Sequence, residues 1–409
     1  DTTYVSHIHG AWYDFTEFKH PGGPVALNLA LHRDATALFE AHHPFTSRSK
    51  LASVLRKYEI PKGSEREKEL ERSGLLAQNE PDPYSWDYSG VNGRQEDREA
   101  EKRDQFEIEL KEMGRQYFVQ EAKRRGVSFQ QATKATPLRW CQVAALAAAY
   151  LVTVPGMLRG EWWTLLVSPF LAWVWLANMY HDACHFSLST RWWVNAALPY
   201  FTPWLSSPLT WYHQHVVGHH AYPNVGRMDP DLAHAPQLLR HHDTIRWRET
   251  HRGQDSTSRT MFIWAVGTFG LSVLSDVRML VQGMYNKVVP MQRIGKTRLF
   301  AHAMGRALFF MVTYVWPFLL FVCWREAETE RDWRRAVLFA FVPQMIFSLL
   351  FMACSQVNHL TPRCATSHTR ARAYSLAHSH TLRLSVVCST THGSSKNYFR
   401  HQVQTAQDF

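Results

Sequence analysis

Residues 181–185 read His181-Asp-Ala-Cys-His185, and residues 213–220 read His213-Gln-His215-Val-Val-Gly-His219-His220. Histidine is the commonest protein ligand for redox metals, through a neutral imidazole nitrogen. On an α-helix residues four apart share a face, so His181 and His185 can grip one ion, as can His215 and His219. His220 follows His219 by about 100° of helical rotation and can reach a second ion beside the first. The first cluster closes a long apolar run, so the pattern points to an iron site at a bilayer surface. Histidines that merely cap helices at an interface account for one such pair but poorly for both.

The 409-residue chain has a mean hydropathy of −0.30, a value that suits a soluble protein, but the average hides a strong segregation. Apolar stretches occupy 140–158, 162–180, 303–323 and 336–354, with aromatic residues near their ends. Each is close to the ~20 residues that cross a bilayer, so the sequence predicts four spans. Two weaker stretches, 191–210 and 261–275, are broken by Pro, Gly or Ser and read as interfacial or re-entrant pieces. The net charge of +10 invites nucleic acid as a partner. The basic residues instead crowd beside the apolar runs, as Arg115, Lys123, Arg124, Arg125, Lys134 and Arg139 do before the first. That pattern favours anionic membrane lipid, excludes a nucleic-acid role and places the N-terminal half in the cytosol. Arg159-Gly160-Glu161 forms a tight hairpin, which returns both histidine clusters to the cytosolic face. The six cysteines form no C-x-x-C pair, so neither a disulfide framework nor a zinc knuckle is expected. No signal peptide is evident, and a start at Asp1 without Met predicts that the true N-terminus lies upstream.

Residues 1–60 read as a small α+β domain. Tyr4-Val-Ser-His-Ile8 and Trp12-Tyr-Asp-Phe15 alternate as strands around Gly10, and Asp34-Ala-Thr36 caps the second of two short helices. His20-Pro-Gly-Gly23 projects one imidazole from a turn, and His42-His43-Pro44 offers a second source across the helices. Imidazoles from opposed loops can hold a haem on both axial sides and make an electron carrier. Residues 61–98 read as a linker, and 99–126 as a surface helix with Phe106, Leu110, Met113, Tyr117 and Phe118 on one face. From Thr361 to Arg400 there is no Asp or Glu and no sustained period, so 361–400 reads as an anomalous, disordered insertion.

Two resemblances follow from these strings. Trp12-Tyr-Asp-Phe-Thr-Glu-Phe18, His20-Pro-Gly-Gly23, Asp34-Ala-Thr36 and Phe39 resemble the cytochrome b5 domain, which implies haem b with His20 and His43 as axial ligands. The remainder resembles the membrane fatty acid desaturases, specifically the front-end group fused to cytochrome b5. The matching strings are His181-Asp-Ala-Cys-His185, Gln214-His215-Val-Val-Gly-His219-His220, Tyr222-Pro-Asn224 and Asp229-Pro-Asp231. The implied fold is mainly α: a four-span helical membrane domain over 99–360 with a cytosolic catalytic cap. The implied cofactor is a pair of non-haem irons on His181, His185, His215, His219, His220 and His359, in Ser355-Gln-Val-Asn-His359. Asp182, Asn224, Asp229 and Asp231 are candidates to orient those imidazoles, although Asp229-Pro-Asp231 also reads as a solvated turn. His213 reads as a surface neighbour.

The resemblance implies a multi-pass endoplasmic reticulum enzyme with both termini cytosolic. It would insert a cis double bond between an existing one and the carboxyl end of a polyunsaturated acyl chain, carried on coenzyme A or phospholipid. NADH would act through a separate NADH-cytochrome b5 reductase, since no G-x-G-x-x-G follows a strand. A sphingolipid long-chain-base desaturase and a fatty acid 2-hydroxylase are the enzymatic alternatives. The family's third histidine cluster is expected beyond Phe409, with 401–409 as the start of the segment leading to it. His378, His380 and His392 do not reproduce its spacing. A membrane haem protein without a working di-iron centre is therefore the alternative of another class.

Overall fold

The computed structural model describes residues 4–73, 105–223, 228–240, 245–269, 274–286, 289–291, 295–323 and 332–359. At the head, β1 (Val5–Ile8) pairs antiparallel with β2 (Ala11–Asp14) through the two-residue turn His9-Gly10. Both turn residues have positive φ, 49° and 74°, the hairpin geometry that matches strand twist. Three helices follow: α1 (Gly23–Ala30), α2 (Thr36–His42) and α3 (Arg48–Tyr58). Asp34 makes a turn just before α2 rather than the expected cap: its carboxylate accepts from the Thr36 amide at 2.9 Å and hydroxyl at 2.6 Å, while Ala35 is the N-cap and offers no side-chain bond. The helix Glu65–Arg72 buries Leu70 against Val5, Trp12 and Ile60, so the head takes an element from the segment read as linker. Its signal was present: Ser64 accepts from the Glu67 amide, the S-x-x-E start of a helix.

Among the described residues three helices are long and apolar enough to cross a membrane: Pro137–Arg159, Lys296–Cys323 and Trp333–Gln356. The expectation of four spans is corrected here. Segment 162–180 is a regular helix only over Thr164–Trp175, followed by a wider turn at Leu176–Tyr180, and Asn178 adds polarity near its end. It still returns along the first span, which ends at Gly160 with φ 72°, where a Cβ would strike the Phe321 ring. Arg139, at the start of the first span, donates to Asn178 at 2.6 Å and to Asp182 at 2.7 Å, tying the two helices together beside the first histidine cluster. The surface helix is present as Gln105–Arg125; Phe118 packs on Phe45 and Phe129, but Met113 and Tyr117 are exposed rather than buried with it.

Two polar devices hold the membrane domain to the histidine-bearing layer. Buried Arg306, within the second candidate span, donates to the Leu205 carbonyl at 2.6 Å and lies 3.7 Å from the Asp276 carboxylate. Asp276 in turn accepts from the Ser207 amide at 2.8 Å and from the Thr210 hydroxyl, so it caps the helix that leads into the second cluster.

In the head, α2 is held by buried Glu40, which pairs with His9 at 2.9 Å, with both terminal nitrogens of Arg48 at 2.8 and 2.7 Å, and with Lys111 at 3.6 Å. Burial alone would raise its pKa, but the His9 and Arg48 hydrogen bonds reverse this and lower it from 4.5 to about 2. A depressed carboxylate stabilises the fold above its unfolded pKa and loses that contribution as pH falls through the folded value. We therefore expect on the order of 3 kcal/mol, present above pH 4.5 and lost toward pH 2. Thermal melts of wild type and Glu40→Gln across that window should converge in acid; equal melting temperatures at neutral pH would refute the assignment.

Candidate functional site

His181 follows one widened helical turn, and the second cluster forms another, the π-helix Tyr212–His219. A π-helix hydrogen-bonds five residues apart, and the His220 amide accordingly donates to the His215 carbonyl at 2.9 Å. The ring that joins His215 in the converging group is that of His220, while the His219 ring stacks beside His215 with centroids 5.9 Å apart. Rings of His181, His185, His215 and His220 converge, each with a ligand nitrogen within 4.8 Å of the others. Nε2 of His215 lies 3.0 Å from Nε2 of His185 and 3.1 Å from Nε2 of His220. Two bare nitrogens so close repel unless a proton or a cation lies between them. Burial first, then the charges of neighbouring histidines, pushes His185 down to about 3 and His215 and His220 well below the ordinary value. Neutral, proton-averse imidazoles are the donor set that a transition metal takes. Trp211 stacks on His215 with centroids 4.6 Å apart and holds its ring plane.

His219 lies beside these rings but has carboxylate partners of its own. Its Nδ1 donates to both Asp229 oxygens at 3.0 Å, and Asp231 stands 3.7 Å off. Burial would lower the His219 pKa, but the Asp229 and Asp231 charges overcome it and lift it to about 9. With Nδ1–H anchored, Nε2 is the nitrogen that can exchange a proton for a metal, the usual carboxylate–histidine–metal arrangement. The alternative of a solvated Asp229-Pro-Asp231 turn is overturned, since both carboxylates are buried. His213, read as a surface residue, is also buried, with Nδ1 on the Leu209 carbonyl at 2.8 Å. Asp182 bonds Arg139 and stands 3.6 Å from His181. Asn224 lies outside the described residues, as do 361–409 with His378, His380 and His392. His359 ends the helix Trp333–His359, and its side chain lies outside the description.

Sequence reasoning missed the group that steadies the Asp231 side of this array. Gln214 donates to Asp231 at 2.9 Å and accepts from the Tyr285 hydroxyl, while His234 approaches Asp231 at 3.3 Å. His234, three residues after Asp231, was a visible signal; Tyr285 had none, being far off in the chain.

In the head, His20 faces His43 with centroids 5.9 Å apart, near the separation of two imidazoles about 2 Å from one shared ion. Nδ1 of His43 donates to the Phe39 carbonyl at 2.7 Å and leaves Nε2 bare. The Gly22 amide donates to Nδ1 of His20 at 2.9 Å, so ligation through Nε2 of His20 requires this bond to open. Burial, then the charges of His43 and His42, lower His20 to about 4, so both rings are kept neutral. The donor set fits an axially ligated haem.

The fatty acid desaturase profile matches residues 160–394, more than half of the chain. The chain belongs to the fatty acid desaturase family. A cytochrome b5-like haem/steroid binding domain matches residues 1–62. An acyl-lipid omega-13 desaturase of Chlamydomonas reinhardtii is 25% identical over 86% of this chain and 72% of its own length. Delta(5) fatty acid desaturase A of Dictyostelium discoideum is 31% identical over 55% of this chain and 42% of its own. An acyl-lipid (7-3)-desaturase of Diacronema lutheri is 39% identical over 29% of this chain and 27% of its own. Apart from the algal omega-13 match, the chain spans half or less of the curated relatives' length. No solved structure matches it. For this desaturase-family chain, Asp229→Asn should weaken metal binding roughly 10–100-fold by freeing His219 to reorient. Cobalt titration followed by absorbance reads the effect, and unchanged affinity would remove Asp229 from the metal's support.

Proposed function

We propose that this chain is a front-end fatty acid desaturase, using oxygen and electrons from its own haem domain. The observation that carries the reading is the convergence of His181, His185, His215 and His220 beside the Asp229-held His219. The quartet would hold one non-haem iron, and Nε2 of His219 with His359 would serve a second. His20 and His43 would hold haem b. Bound iron would supply the oxygen-activating redox chemistry that no side chain provides for an unactivated alkyl chain. The protein's own residues bind, orient and exclude water. Asp229 holds His219 in one tautomer, and Asp182 is itself held by Arg139 next to His181.

A cavity of about 260 Å³ opens between the three candidate spans, lined by Tyr150, Met157, Trp204, Phe309, Trp316 and Pro343. Its apolar wall suits an acyl chain, and the Trp204 indole N–H on that wall is satisfied by the Tyr150 hydroxyl oxygen at 2.7 Å. The match to a Delta(5) fatty acid desaturase, together with the fused cytochrome b5-like domain, supports the front-end reading. The setting we propose is the endoplasmic reticulum membrane, with the histidine face in the cytosol and an NADH-cytochrome b5 reductase as electron source.

Yeast expressing the protein and fed defined polyunsaturated acids should accumulate acids with one more double bond on the carboxyl side, and His215→Ala should abolish it. Appearance of 2-hydroxy acids alone would show a hydroxylase. One haem with well under two non-haem irons per chain would show an electron carrier instead.

A further inference from the structure

The head does not merely precede the catalytic layer; it packs on it. Gly23, with φ 74°, sits directly on the Trp192 ring, where a Cβ would lie 2.2 Å from a ring carbon. Leu29 of α1 is buried in the same apolar cluster as Trp211, Tyr212, Val216 and Val217, with Val25 and Leu38 packed beside it. Thus α1 lies against both the Trp192–Ala197 helix and the π-helix that carries His215 and His219. Between α1 and α2, buried Arg33 reaches across and donates to the Pro290 carbonyl at 2.8 Å. The end of α2 then carries His43 toward His20.

We infer that Arg33 and the α1 face lock the head in one docked pose against the π-helix that carries His215 and His219. Arg33 and Trp192 are positioning residues for that pose. The inference rests on the proposed desaturase reading for its purpose, which would be to hold the haem-binding residues beside those that would bind iron. The packing stands without it.

The test compares hydrogen–deuterium exchange in full-length protein, in detergent, for wild type, Arg33→Ala and Trp192→Ala. Both variants should raise exchange over Trp192–Ala197 and Tyr212–His219 while the haem Soret band stays unchanged. Loss of a hydrogen bond to a charged donor should weaken docking about tenfold or more. Unchanged exchange in both variants would overturn the docked pose. Failure of the desaturase reading would look different: no Soret band or no bound iron, with the exchange pattern intact.

Discussion

The rest of the site depends on the hydrogen-bond register of one helix. Over Tyr212–His219 the backbone closes wider than an α-helix, and the rings of His215, His219 and His220 gather at its end, His219 with Nδ1 on Asp229. The widened turn is held from both ends. Asp276 caps the helix that leads into it, through Ser207 and Thr210. Asp229 takes His219 at its far end.

The electrostatics then divide. His185, His215 and His220 are buried and crowd other histidines, so burial and mutual repulsion keep them neutral. His219 has two buried carboxylates instead and is driven the opposite way, to about 9. Opposite shifts among neighbouring histidines follow from which of them has carboxylates beside it. The same physics acts in the head, where Glu40 is held ionised by His9 and Arg48 and so secures the helix that ends at His42 and His43.

The membrane side shows how composition and geometry part company. Three spans were readable because each is a long apolar run. The fourth, 162–180, was read from apolar content alone, yet the chain there is a shorter helix that widens as it approaches His181. A polar end and a widened turn serve the site rather than the bilayer. The charge of Arg306 inside a span becomes intelligible only beside Asp276 and the carbonyls of Pro203 and Leu205.

Local chemistry was legible in the sequence alone. Gly10 marked the hairpin, Asp34-Ala-Thr36 the helix start, and the histidine strings the candidate ligands, because each of these depends on neighbours a few residues away. Which histidines meet depended on backbone register and on partners 10 to 71 residues distant, Asp229 for His219 and Tyr285 for Gln214. His213 misled for the same reason: its neighbours in sequence suggest a surface, while the packed head and the π-helix bury it. The seating of the head, through Arg33 to Pro290 across 257 residues, has no trace in any local pattern. Periodicity reports which face a residue takes on its own element; only tertiary packing decides what that face meets.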